Sequence, residues 1–450
     1  MTVRLLALAL VTSALALLCV PASATPIYAI RSANACDTCH IEPSGWYNPA
    51  DVDRLCTLDC VGCHVDAAGG GMRKPAGVFY GREVLPTWGT RPSASANPKK
   101  YLAPGYPEKG RYRLFEGFSG WWAGTTPMAE IEERYGDIDP DPVFDWAYDY
   151  RGATFAPLEE DAAENDRNVV SFPMQADIYL MGRPMDNLVL YTSFGLQGAK
   201  RRNAQDGFTE EGVDAIDYLA VRELSVTYDR LPNNSYVRAG RFKPHYGWHL
   251  PDHTAFIRRD LGFDQNRQVF GIGGGYNPQY LFAHASAFYQ GLDGWPGELG
   301  DEGIGGTVQA GYRALGWQAG GNVHVLNRTD GQNELTSGVF WGVNLYPVVY
   351  LGELDVRMKS AEADAAQAGS SGIFAYHELN WLVLRGFSLL TSYQWADPNL
   401  DLLDDHKHRG IAGMQWNPYT AIQLDLQYRA NFQASDFTEH EVLFIFHSFL

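Results

Sequence analysis

From Arg111 to Leu450 apolar and polar residues alternate in short runs separated by turn residues, and this period of two limits the fold more than any other feature. Between Thr420 and Ala430, Ile422, Leu424, Leu426 and Tyr428 share one face of an extended chain, while Gln423, Asp425, Gln427 and Arg429 share the other. In the same way Val348, Tyr350, Leu354 and Val356 oppose Glu353, Asp355 and Arg357. Counted back from Leu450, about sixteen such runs can be marked, with the first near Arg111 to Gly124. A soluble sandwich would turn its apolar face to a core, so alternation alone does not separate core from lipid.

Three features favour lipid. The runs are about ten residues long, and very short connections alternate with long ones. The short set includes Arg183 to Asn187, Leu231 to Asn234, Asn277-Pro278, Leu315-Gly316, Arg385-Gly386 and Asn417 to Tyr419. Tyr289, Trp317, Tyr393, Trp395 and Tyr428 lie near strand ends on the apolar face, as in an interfacial girdle. With short turns on the periplasmic side, both the first and the last strand meet the periplasm, which requires an even strand count. A one-residue slip of the Thr420 strand would put Asp425 and Arg429 into lipid, at roughly 2–4 kcal/mol for each mid-membrane Arg. The expected fold is therefore all-β: a transmembrane antiparallel barrel of about sixteen strands over 111–450. The final stretch, His440 to Leu450, resembles an outer-membrane insertion strand, although it ends on Leu450 after Phe449.

The N-terminus reads as an export signal over 1–24. Arg4 precedes an apolar run from Leu5 to Val20, and Ala22-Ser23-Ala24 offers small residues for cleavage before Thr25. Bulky Leu17 and Leu18 argue against a lipid anchor on Cys19. A net charge of −18 argues against nucleic acid as a partner. Residues 25–85 carry the remaining cysteines, and 86–110 form a Pro-rich linker with Pro86, Pro92, Pro98, Pro104 and Pro107.

The sharpest chemistry lies at Cys36-x-x-Cys39-His40 and Cys60-x-x-Cys63-His64. In C-x-x-C-H two thiols can bond to the vinyl groups of one haem, and the following His becomes the axial ligand of its iron. Four Cys at this spacing also suit a zinc ribbon. The chain has 12 His among 450 residues, so a His after both pairs arises by chance only about once in 1,400 such chains. Export also sends the thiols to an oxidising compartment where zinc ribbons are uncommon. The expectation is a small dihaem c-type cytochrome domain with two covalently attached haem c groups, their irons bound by His40 and His64. For a second axial ligand Met72 is the candidate, the other reading being a Met packed on a porphyrin face. Cys56 is left over, and reads as a small buried residue.

Two connections stand out. Residues 125–171 read as a long extracellular loop with thirteen acidic residues from Glu130 to Asp166, able to gather cations such as Fe(II) or simply solvated. The stretch from Lys243 to Asp260 carries His245, His249 and His253, but Gly247 and Pro251 oppose a helix. It can fold inwards as a constriction, contact haem, bind metal, or be a plain loop. By strand parity His284 and His324 face the lumen.

A c-type cytochrome joined to an outer-membrane barrel in one chain resembles the fused cytochrome–porins of iron-oxidising bacteria. The likeness includes Tyr28-Ala29-Ile30-Arg31-Ser32-Ala33-Asn34 leading into Cys36, Cys39 and His40. That resemblance implies a haem domain plugging the barrel, with Cys36 and Cys39 as thioether attachments and His40 as proximal ligand. The family generally carries one C-x-x-C-H, and the second here is a departure from it. The segment Arg238 to Pro244 is similar to phosphate-selective porins. Together these readings lead to an outer-membrane electron conduit. It would link an extracellular donor or acceptor, Fe(II) favoured, to a periplasmic c-type cytochrome, as an Fe(II):cytochrome c oxidoreductase or as an outward conduit to metals. A diffusion porin with an appended haem domain is the alternative.

Overall fold

The computed structural model describes residues 142–449 apart from 159–168, 197–218, 265–266, 279, 292–301, 315, 346, 362–368, 385, 420 and 434–437. Ahead of these it describes 60, 63–67, 69–74, 77–78, 81, 85–87, 91–92 and 125–126. Sixteen strands form one closed antiparallel barrel. They are β1 (Phe144–Pro157), β2 (Val170–Met185), β3 (Leu188–Leu196), β4 (Leu219–Leu231), β5 (Ser235–Phe242) and β6 (Val269–Tyr276). Next come β7 (Leu281–Gln290), β8 (Gly303–Arg313), β9 (Trp317–Arg328), β10 (Asn333–Leu345) and β11 (Val348–Lys359). The circuit ends with β12 (Ser370–Leu384), β13 (Phe387–Asp397), β14 (Lys407–Trp416), β15 (Ile422–Gln433) and β16 (Thr438–Phe449). Closure runs through β16 and β1, from Glu441 opposite Pro157 to Phe449 opposite Asp149. Every neighbour pair is consecutive in the chain or closes the ring, so the barrel is a simple meander with no unpaired edge.

Strand parity sorts the residues as the alternation requires. On β15 Leu426 and Tyr428 are 39% and 43% exposed on the outer wall, whereas Gln427 and Arg429 are buried on the inner side. Tyr393 on β13 is likewise outward. The short connections named above all lie at one end, as does one at Pro347 that the sequence reading passed over, while the four-residue turn Thr329–Gln332 lies at the other end. In outer-membrane barrels the end with the short turns is periplasmic.

The first strand differs from expectation. The barrel closes on Phe144–Pro157, so Arg111 to Gly124, outside the described residues, supplies none of its sixteen strands. Consequently 125–171 is not one loop. Phe144, Trp146 and Tyr150 face outwards, and Ala147 and Asp149 are buried inwards. A strand was concealed there because Asp145 and Asp149 raise the local charge, and charge reads as loop, while the period of two survives. Glu159 to Asp166 lie between β1 and β2, and the acidic residues from Glu130 to Asp141 precede β1, outside the described residues.

Among the described residues, two segments occupy the lumen. The connection 243–268, between β5 and β6, folds inwards and contains one helical turn, α1 (Phe256–Arg259). Its flanking strands have 8 residues each, the shortest in the barrel. The described part of 60–87 lies against the inner wall nearer the short-turn end. Thr87 N–H donates to the Asn417 carbonyl at 2.8 Å and the Trp416 indole donates to the Thr87 hydroxyl at 3.2 Å, both at that mouth.

Candidate functional site

The second C-x-x-C-H is held as a tight turn. His64 N–H donates to the Cys60 carbonyl at 2.8 Å and Cys63 N–H to the same carbonyl at 3.1 Å, so the chain reverses across the motif. A short antiparallel ladder follows: His64 pairs with Arg73, Val65 N–H donates to Met72 O at 3.1 Å, and Lys74 N–H to Cys63 O at 2.8 Å. Its tip is Gly69-Gly70-Gly71, with φ of +83°, +79° and +58°. Three successive left-handed residues are practicable only for glycine, which explains the run.

The ladder is fixed to the wall by packing and charge. Met72 is 1% exposed and packs, with Val65, among Ala147, Tyr179, Met181, Val189 and Tyr191. Asp66 accepts from Arg238 of β5 at 2.7 Å, and that guanidinium lies 4.0 Å from the centre of the Phe242 ring. Arg73 sits 4.2 Å above the ring of Phe449, the last described residue of β16. A pair such as Arg238–Asp66, with side chains 6% and 15% exposed, fixes the register of plug against wall more than it stabilises the fold.

The residues present suit a covalent haem. Cys60 and Cys63 are not joined in a disulfide, and His64 is buried next to them. A Cβ on Gly69 would stand 3.4 Å from Cys60 Sγ and 3.9 Å from His64 Cδ2, so the bare glycine backbone leaves clearance beside the thiol and the imidazole. Burial, helped by the Arg73 cation, pushes the His64 pKa down to about 4, which keeps the ring in the neutral form that binds iron. A cavity of about 230 Å³ adjoins Val65, Asp66 and Ala67 and reaches Asp229 and Asn234 at the short-turn end. Residues on facing positions of an antiparallel pair point to the same side and alternate along it. Met72 therefore shares a side with Val65, opposite to His64 and Arg73, and its side chain fills the wall contact. Cys36, Cys39, His40 and Cys56 lie outside the described residues.

The inward connection crosses the lumen and grips the far wall. Trp248 N–H donates to the Glu353 carboxylate at 2.8 Å, its indole to Gly352 O at 3.0 Å, and the Tyr246 hydroxyl to Asp355 at 2.7 Å. Arg258 forms an ion pair with Glu353 in which both side chains are almost wholly buried. Gly247 has φ +55°, and a Cβ there would collide with the Glu353 carboxylate and the Arg258 guanidinium. Around these contacts Tyr246, Trp248, Phe256, Ile257, Leu261 and Phe263 pack on Phe282, Phe340, Val349, Leu351 and Phe374 of the wall. Above them Arg429 pairs with Asp252 at 3.3 Å and Arg409 donates to Thr254 O at 3.0 Å. Of the alternatives for this connection the structure shows inward folding, and as Gly247 and Pro251 imply, its His residues share no helix.

Its three His part company. His245 Nε2 is 2.6 Å from the Tyr236 hydroxyl, which is also 3.0 Å from His284 Nδ1, and the two imidazole centres are 4.3 Å apart. His249 lies against the glycine tip of the ladder, where a Cβ on Gly70 would be 3.3 Å from its Cε1 and Nδ1. Burial, then the Lys243 cation, push its pKa down to about 3. His253 neighbours Asp252 and Arg151 instead. His284 and His324 do face inwards; His324 meets the Phe263 ring edge-on at 5.1 Å. The sequence reading missed Tyr236, Arg238 and Asp66 as site residues. Strand parity marks Tyr236 and Arg238 as lumenal, but nothing local pairs either with a residue so distant in the chain.

The barrel has an outer-membrane fold. Neither a protein-family model nor a curated relative matches the sequence. Among solved structures, it is similar to a loop-deletion mutant of OmpT, an outer membrane protein of Vibrio cholerae. That match has a TM-score of 0.50 and 7% identity, over 68% of this chain and 99% of the other. An anion-selective porin from Comamonas acidovorans matches at TM-score 0.48 and 11% identity, over 68% of this chain and 99% of its own. The outer membrane channel DcaP of Acinetobacter baumannii matches at TM-score 0.46 and 11% identity, over 68% and 97%. At such identity the likeness speaks for the barrel fold alone.

Proposed function

We propose that this chain is an outer-membrane electron conduit whose plug carries c-type haem. The observation that supports it best is that Cys60, Cys63 and His64, a thioether-and-imidazole set by sequence, lie inside the barrel wall in a ladder tied down by Asp66–Arg238 and Met72. Bound haem would supply one-electron exchange. The chain's own residues do the rest. Cys60 and Cys63 would carry the attachment, and His64, kept neutral by burial, would hold the iron. The apolar cluster around Trp248 and Phe256 fills lumen that would otherwise hold water, so electrons pass while ions are held back. In the inward direction each extracellular Fe(II) gives up one electron and leaves as Fe(III), and that electron is delivered to a periplasmic c-type cytochrome. His40 with Cys36 and Cys39 would carry a second haem. The same parts run outwards with an extracellular metal acceptor.

The second reading is a diffusion porin, favoured by the likeness to an outer-membrane barrel and by a connection that narrows the lumen as a constriction. The discriminating experiment is the full-length, haem-loaded protein in sealed liposomes with a reducible dye inside and Fe(II) outside. A chain with His40 and His64 both replaced is the control. Dye reduction that depends on both His, without leakage of small solutes, is the expected result. Leakage of solutes with no dye reduction sinks the conduit in favour of the porin.

A further inference from the structure

Among the described residues outside Cys60, Cys63 and His64, three concentrations of chemistry stand out. The pair His245–His284 is bridged by one hydroxyl, since Tyr236 bonds one nitrogen of each ring, and Arg238 approaches His245 at 3.2 Å. The cationic group Arg409–Arg429 is taken up in holding Asp252 and Thr254. The third is His249, and the observations carry it further.

His249 and His64 come from parts of the chain 185 residues apart, yet both rings reach the glycine tip, His64 at Gly69 and His249 at Gly70. A Cβ on Gly69 would stand 3.9 Å from His64 Cδ2, and one on Gly70 would stand 3.3 Å from His249 Cε1 and Nδ1. Gly69 and Gly70 have no side chain to fill the space beside either imidazole. The other sulfur or imidazole groups near the ladder are committed elsewhere: Met72 to the wall on the opposite side from His64, His245 and His284 to Tyr236. His249 is also held firmly from behind, since its neighbour Trp248 is pinned to Glu353 and Gly352. A ligand that is positioned by a rigid neighbour loses little freedom on binding.

We propose that His249, carried by the inward connection, is the second axial ligand of the haem attached at Cys60 and Cys63, opposite His64. This rests on the haem reading above. It also gives the inward connection a task beyond narrowing the lumen: the ligand bond ties it to the plug, so the two lumenal segments form one unit. The iron is then six-coordinate and closed to small external ligands.

The test uses the full chain with Cys36 and Cys39 replaced by Ser, so that only the second motif carries haem. Haem content is read from the pyridine haemochrome, and barrel folding from heat-modifiable electrophoretic mobility. The expected result is a low-spin ferric haem with the near-infrared charge-transfer band of two imidazoles, and no carbon monoxide binding after reduction. His249→Ala should lose that band, turn high-spin and bind carbon monoxide, and added imidazole should restore the low-spin form. His249→Met, which keeps a ligand of similar length, should move the band and raise the midpoint potential. His253→Ala, on the same connection but beside Asp252, should leave the spectrum unchanged. A haem whose spectrum ignores both His249 variants overturns the ligand and leaves the haem reading standing. A folded barrel with no haem at Cys60 and Cys63 overturns both.

Discussion

Replacing Arg258 by Met tests whether charge pairing, as well as packing, keeps the inward connection in place. Arg258 and Glu353 are 2% and 0% exposed, and the same guanidinium donates to Tyr246 O at 3.1 Å. Asp355 stands two residues along the same strand face, so the Met variant leaves two carboxylates facing each other without their cation. Breaking a buried pair by removing one partner costs about 3–5 kcal/mol, because the remaining charge keeps its desolvation penalty. Apolar burial of Phe256, Ile257 and Leu261 is unaffected, so the connection stays docked most of the time. At about 1.4 kcal/mol per decade the undocked population should rise by roughly two to three and a half powers of ten. The assay is hydrogen exchange on peptides covering Trp248 and Ile257, with single-channel conductance in parallel. Arg258→Met should exchange faster there and show transient openings. Adding Glu353→Gln removes the stranded charge yet keeps an acceptor for Trp248 N–H, and should recover most of the protection. Unchanged exchange in the single variant, or a double variant as unprotected as the single, would refute the reasoning.

Three further outcomes follow from the same contacts. Leu426→Arg, on the lipid side of β15, should destabilise the barrel by about 2–4 kcal/mol in denaturant unfolding from vesicles, whereas Gln427→Arg on the lumenal side should cost far less. Gly71→Ala forces a side chain into φ +58° with its Cβ 3.0 Å from the Tyr191 hydroxyl. Left-handed strain of about 1–2 kcal/mol should make the plug more sensitive to protease while the barrel's electrophoretic mobility stays the same. Burial raises the Asp252 carboxyl, but Arg429 and the Thr254 hydroxyl outweigh it and hold the pKa down to about 2, against an ordinary 3.8. A depressed carboxylate adds stability above its ordinary pKa and loses it as pH falls through the depressed value. Exchange around Thr254 should therefore accelerate between about pH 4 and pH 2, and Asp252→Asn should abolish that dependence.

Much of the barrel is legible in sequence because strand parity is local. Leu426 and Arg429 are assigned to opposite faces by their positions alone, and the short connections mark one end of the barrel. The first strand was obscured because Asp145 and Asp149 raise the charge of a stretch whose alternation is otherwise intact. The C-x-x-C-H motifs are legible for the same local reason, since thiol, thiol and imidazole sit within five residues.

What the sequence determined by itself is which side of the wall each strand residue faces and which short segments bring two thiols and an imidazole together. Partners across the lumen were decided only by the tertiary structure. Nothing near Met72 in the chain indicates that its side chain packs on Tyr179 and Tyr191, nor does anything near Asp66 point to Arg238. Glu353 reads as a hydrated lumenal carboxylate until closure brings Trp248 and Arg258 onto it from 105 and 95 residues away. Period and spacing act within a few residues, whereas these contacts exist only after sixteen strands have closed into a ring that gathers distant segments into one lumen.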